Sequence, residues 1–141
     1  MLCNISYNDP NLKLKIDTTL GKPFTLQQRW KMGGIGSPKL TISSCSKEIY
    51  SLLILDHNSN YCNIELRPNG IIIRFRSLLE NYGLIIPYYK LKLYKGQANI
   101  YSLYIDNQYV KIMADSLSIH NFFKKIGTEK ARISPPPIED L

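Results

Sequence analysis

Ile64-Glu65-Leu66-Arg67-Pro68-Asn69-Gly70-Ile71-Ile72-Ile73 consists of two aliphatic runs separated by turn residues. Asn-Gly supplies the positive φ angles that a tight hairpin turn demands, so the spacing predicts antiparallel strands over Tyr61 to Arg67 and Gly70 to Arg76. Upstream, Ile49 to Leu55 is aliphatic and closes on Asp56-His57-Asn58-Ser59-Asn60, where Asx and Ser side chains bond their own backbone. It counts as a further strand. Downstream, Ser77 to Gly83 reads as a short helical turn or loop. Leu84 to Ile86 and Leu91 to Tyr94 read as extended around a kink at Pro87, and Ile100 to Ile105 pairs with Tyr109 to Met113 across Asp106-Asn107-Gln108.

The last element changes period. Ile119, Phe122, Phe123 and Ile126 recur at i, i+3, i+4 and i+7, the single apolar stripe of an amphipathic helix. Asp115 or Ser116 can cap its start, Lys124 and Lys125 suit the carbonyl end of its dipole, and Gly127 is a natural stop. The fold class is therefore α+β and mostly β. About seven strands form an antiparallel curved sheet or partly open barrel, capped by one C-terminal helix.

This order of elements resembles the pleckstrin-homology-like (PH-like) superfold, in particular the small bacterial PH-like and GRAM-like domains. The residues that carry the resemblance are the hairpin around Asn69-Gly70, the step Ile86-Pro87-Tyr88-Tyr89, the hairpin around Asp106-Asn107 and the helix with Phe122 and Phe123. It spans Ile49 to Ile126, and it implies a fold much more than an activity.

The first forty-five residues lie outside that resemblance and are expected to supply edge strands or a cap. Leu12, Leu14 and Ile16 alternate with Lys13 and Lys15, which predicts a strand. Phe24 to Trp30 fits either period and is read as extended. Gly33, Gly34, Gly36 and Pro38 make a turn cluster. Residues 1–131 are expected to form one domain with 1–45 packed on it. Residues 132–141 form a proline-rich acidic tail containing Ser134-Pro135-Pro136-Pro137.

At 141 residues, with 44% hydrophobic and 21% charged side chains, the chain is globular and excludes collagen-like, coiled-coil and wholly disordered classes. Cys3, Cys45 and Cys62 are odd in number and lack a C-x-x-C spacing, so buried free thiols are expected. There is no signal-peptide pattern and no apolar run of bilayer length, which makes a cytoplasmic protein without a transmembrane segment the expectation. His57 and His120 are isolated, and no H-E-x-x-H, G-x-S-x-G or Walker pattern occurs. No catalysis, cofactor or metal is expected.

Eighteen Lys and Arg against eleven Asp and Glu give a net charge of +7. The cations sit at alternating strand positions: Arg74 and Arg76 share one face, as do Lys90 and Lys92. Eight of the ten tyrosines fall between Tyr61 and Tyr109, interleaved with these cations. The candidate binding residues are Arg74, Arg76, Lys90 and Lys92, with Tyr88 and Tyr89 at the strand break. Solvated outer faces are the plain explanation of such a pattern. The primary functional reading is an interaction domain for a protein or peptide, including a second copy through a sheet edge. The alternative is an anionic ligand, lipid head groups or nucleic acid, held on the basic surface. Arg74-Phe75-Arg76 is similar to the basic R-x-R step with which some PH domains hold phosphoinositide phosphates.

Overall fold

A computed structural model describes residues 1–55 and 60–133, so the expected turn at Asp56–Asn60, all but its last residue, and residues 134–141 of the expected proline-rich tail 132–141 lie outside the described residues, while 132 and 133 are helical. The chain runs β1 (Leu2–Asn4), α1 (Pro10–Leu20), α2 (Leu26–Met32), β2 (Leu40–Cys45), α3 (Lys47–Leu53), β3 (Tyr61–Arg67), β4 (Gly70–Ser77), β5 (Glu80–Pro87) and β6 (Lys92–Lys95). A 3₁₀ turn at Gln97–Asn99, β7 (Ile100–Ile105), β8 (Gln108–Met113) and α4 (Leu117–Ile133) complete it. The class is α+β and mostly β. The strands form one antiparallel sheet of eight, not closed, in the order β1-β5-β4-β3-β2-β8-β7-β6.

Three segments expected to be extended are helical, and local chemistry explains each. Asp9 caps α1, accepting from the backbone N–H of Asn11 and Leu12, and Pro10 occupies the first turn. The operative spacing is then Leu12, Ile16 and Leu20, four apart, while Leu14 is left 67% exposed. In α2, Thr25 and Gln28 form a reciprocal capping box, and Gly33 closes the helix in the left-handed conformation. In α3, Ile49 and Leu53 are buried one turn apart. Two boundaries also move. β5 begins at Glu80, in the stretch expected to be a turn, and α4 runs through Gly127 to Ile133. Ser116 is the residue that caps α4, its Oγ accepting from the N–H of Ile119.

The hairpin at Pro68-Asn69 pairs Arg67 with Gly70 as expected, but neither Asn69 nor Gly70 has a positive φ. The positive values fall instead on Leu78 (57°) and Asp106 (51°), at the tips of the β4–β5 and β7–β8 hairpins. Gly70 is required for a different reason. A Cβ there would lie 2.3 Å from the Ile86 carbonyl oxygen and 2.5 Å from Leu20 of α1.

The sheet must curl. β5 and β6 stand second and eighth in the order, about 29 Å apart if the sheet were flat. Only Tyr88–Leu91 connects them, a stretch that reaches about 18 Å fully extended. Its inner face carries Ile64, Ile73, Leu84, Leu103 and Ile112 into one core with Ile119, Phe122, Phe123 and Ile126 of α4. The ring of Phe123 stacks on Tyr101 with centroids 4.1 Å apart. On the outer face, α1 buries Ile16 and Leu20 against Ile72 and Ile85 in a second, smaller core. The first forty-five residues thus supply the edge strand β1, the covering helix α1 and an interior strand, β2, between β3 and β8. No helix among the described residues is long and apolar enough to cross a membrane.

Candidate functional site

Alternation along each strand decides what faces outward. In β4, Ile71, Ile73 and Phe75 enter the core, so Arg74 and Arg76 project from the outer face. Arg74 donates to Glu65 Oε1 at 2.9 Å, and the other oxygen of Glu65 accepts from Arg67. Arg67 is itself buried, reaching Asp17 at 3.2 Å and the Gly21 carbonyl at 3.0 Å. Burial alone would raise the Glu65 carboxyl, but hydrogen bonds and charge from Arg67 and Arg74 outweigh it and hold the group below its ordinary value. This chain of charges ties α1 to β3 and β4. Arg76 is exposed, and its Nε donates to the Leu78 carbonyl at 2.9 Å. Arg74 and Arg76 line a shallow concavity of about 660 Å³ with Lys39 and Tyr61, where the Lys39 ammonium sits 3.8 Å from the ring centroid.

Lys90 and Lys92 lie elsewhere. They line a second concavity, of about 670 Å³, with Tyr89, Tyr94, Tyr104, Asp106 and Lys130. No residue lines both concavities, so the four predicted cations form two pairs. Tyr89 is 80% exposed, and the Lys90 ammonium lies 3.8 Å from Asp106. Tyr88, in contrast, is only 1% exposed and belongs to the core, and its hydroxyl finds no hydrogen-bond partner among the described residues. Burial drives its phenol pKa up. Lys130 reaches over from α4 to donate to the Tyr88 carbonyl at 3.1 Å.

Beyond this second concavity the outer face of β6, β7 and β8 is ordered by strand register. Lys92, Tyr104 and Tyr109 stand opposite one another in one row, and Tyr94, Ser102 and Lys111 in the next. The three tyrosine rings form a ladder across the strands, with centroids 5.8 Å apart from Tyr94 to Tyr104 and 5.8 Å from Tyr104 to Tyr109. Lys111 lies 5.9 Å from the Tyr109 centroid. Tyr94 is exposed, and Tyr104 and Tyr109 are half-buried. Tyr94, Tyr104, Tyr109 and Lys111 are not among the candidate residues read from the sequence, because their association depends on cross-strand register. The available signal was the density of tyrosine between positions 61 and 109.

His120 Nδ1 lies 3.0 Å from the hydroxyl of Tyr101, and His57 lies outside the described residues. The Cys62 thiol is pushed up to about 12, mainly by burial, and burial also raises Cys3 and Cys45. Protonated thiols at neutral pH are poor nucleophiles. Among the described residues no three His, Cys, Asp or Glu side chains gather as a metal set would. Comparisons with protein-family models, with curated proteins and with solved structures return no match.

Proposed function

We propose that this chain is a non-catalytic binding module of PH-like architecture whose ligand is single-stranded nucleic acid, held on the outer face of β6, β7 and β8. The observation that carries the reading is the alternation of Tyr89, Tyr94 and Tyr104 with Lys90, Lys92 and Lys130 around one concavity that continues into Tyr109 and Lys111. Nucleic-acid bases stack on aromatic faces whatever their sequence, while lysines track the phosphates, and single strands present both at once. A duplex hides its bases and would meet only the lysines.

The peptide reading has less support. A peptide adding a strand would use one of the two sheet edges, β1, three residues long, or β6, four residues long and carrying Lys92 and Lys95, and short, charged edges discourage pairing. A head group on Arg74 would have to compete with Glu65 for the same guanidinium.

The test is fluorescence anisotropy with labelled single-stranded and duplex oligonucleotides across a salt series. The expected result is preference for the single strand, with affinity falling steeply as salt rises. Tyr94→Ala and Tyr104→Ala should each weaken binding by about tenfold, as loss of one stacked base does. Absence of binding at low salt, or equal affinity of both variants and wild type, overturns the reading.

A further inference from the structure

α2 is a well-formed helix, with a capping box at one end and a left-handed glycine at the other, yet none of its residues is buried. Its inward side is modest: flanking Phe24 and terminal Met32 rest partly buried against the main core. Its outward side carries Trp30, the largest side chain of the segment, together with Leu26. Leu26 and Trp30 lie four apart on one helical face, 82% and 87% exposed. With Arg29, Gly33 and Gly34 they line an open surface hollow. Lone exposed hydrophobic residues are ordinary, but a Trp and a Leu stacked along one turn form a continuous apolar strip.

The stretch of sequence that carries the strip is one-sided in charge, and Arg29 lines the same hollow. From Thr18 to Lys47 the sequence holds no Asp or Glu and five cations, namely Lys22, Arg29, Lys31, Lys39 and Lys47. α4 adds another, since Lys125 donates to the Met32 carbonyl at 3.0 Å beside the end of α2. Trp and Leu on one face of a short helix, flanked by basic residues, match a negatively charged bilayer interface. The indole enters the head-group boundary, the leucine enters the acyl edge, and the lysines meet lipid phosphates. We infer that α2 is a membrane-docking element that places Leu26 and Trp30 into the surface of an anionic phospholipid bilayer. This surface is separate from the tyrosine ladder and does not depend on the nucleic-acid reading.

Trp30 is the single tryptophan of the chain, so its fluorescence reports on α2 alone. The full chain is titrated at low salt with vesicles of phosphatidylcholine, and with the same vesicles containing phosphatidylserine. With the anionic vesicles alone, Trp30 emission is expected to shift to the blue and acrylamide quenching to fall, both reversing as salt is raised. Leu26→Asp should weaken vesicle association by about tenfold or more. Because Leu26 is exposed, that variant should keep the wild-type circular dichroism, thermal midpoint and oligonucleotide affinity. Unchanged Trp30 emission with anionic vesicles overturns the inference. Wild-type vesicle affinity of Leu26→Asp also overturns it, assigning the contact to another basic surface. An emission shift produced by oligonucleotides but not by vesicles overturns it too, transferring α2 to the nucleic-acid face.

Discussion

Gly70 and Cys62 show how single positions carry constraints that local sequence patterns express only in part. Asn69-Gly70 reads as a turn, and a turn is there, but the glycine is needed because the backbone of β5 at Ile86 and Pro87, and Leu20 of α1, close in on it. Gly70→Ala would drive a methyl group into the Ile86 carbonyl and the Leu20 side chain, two elements that cannot both retreat. Its expected cost is about 3 kcal/mol of stability, seen as a lower denaturant midpoint. Sequence spacing placed the turn; the close approach of the β5 backbone and of Leu20 was not legible in it. Cys62 gives a pH signature. Its pKa is raised from 9.0 to about 12 in the folded state. Between those values the folded protein keeps a proton that the unfolded chain has released, so stability falls as pH rises through that window. The stability difference between wild type and Cys62→Ala, measured by urea unfolding, should shrink by about 1 kcal/mol from pH 9.5 to pH 10.5. No change in that difference would contradict the assigned burial.

At the scale of elements, strands framed by turns and the stripe of α4 were legible, because a period of two or 3.6 leaves its mark directly in the order of residues. The N-terminal helices were not. In α1, Leu12, Leu14 and Ile16 satisfy a strand pattern equally well, and only the Asp9-Pro10 cap breaks the tie. In α2 the Thr25–Gln28 capping box was the discriminating signal, and the helix has no buried stripe that would reinforce it. In α3 the register of Ile49 and Leu53 decides, within a run apolar enough to fit either structure. Gly127 misleads in the other direction, since α4 passes straight through it. A Cβ at Gly127 would meet nothing within 4 Å. Gly127→Ala should therefore stabilise the protein by about 1 kcal/mol, raising the thermal midpoint by a few degrees. A lower midpoint would mean that α4 requires the glycine for some other packing or backbone reason. Of the candidate site, the cations and Tyr89 were legible as surface residues on alternating positions. Which of them meet was not, because that depends on the sheet order and on the register that aligns Lys92, Tyr104 and Tyr109.

The molecule as a whole is organised around a sheet whose sequence neighbours β5 and β6 stand almost at opposite ends, bridged by the turn at Tyr88. β3, β4 and β5 are consecutive hairpins, and so are β6, β7 and β8. What unites the two groups is β2, which pairs Thr41 with Tyr61 on one side and with Met113 on the other. This interior place for β2 could not be foreseen from a segment so far from β8 in sequence. It has a kinetic corollary. Each group of hairpins closes short loops and can zip locally, whereas the β2–β8 contact that joins the two groups links residues as far apart as Ile42 and Ile112 and carries a larger entropy cost than any hairpin. The two meanders are expected to be structured when the barrier is crossed and β2 to lock in afterwards. Ile42→Val should then speed unfolding and leave the folding rate nearly unchanged, while Leu103→Ala in the β6–β8 group should slow folding, both read from chevron plots. A folding rate slowed by Ile42→Val in proportion to its full destabilisation would place β2 in the nucleus instead. On this view a central strand of the finished sheet arrives after the hairpins it joins, a latch rather than a foundation.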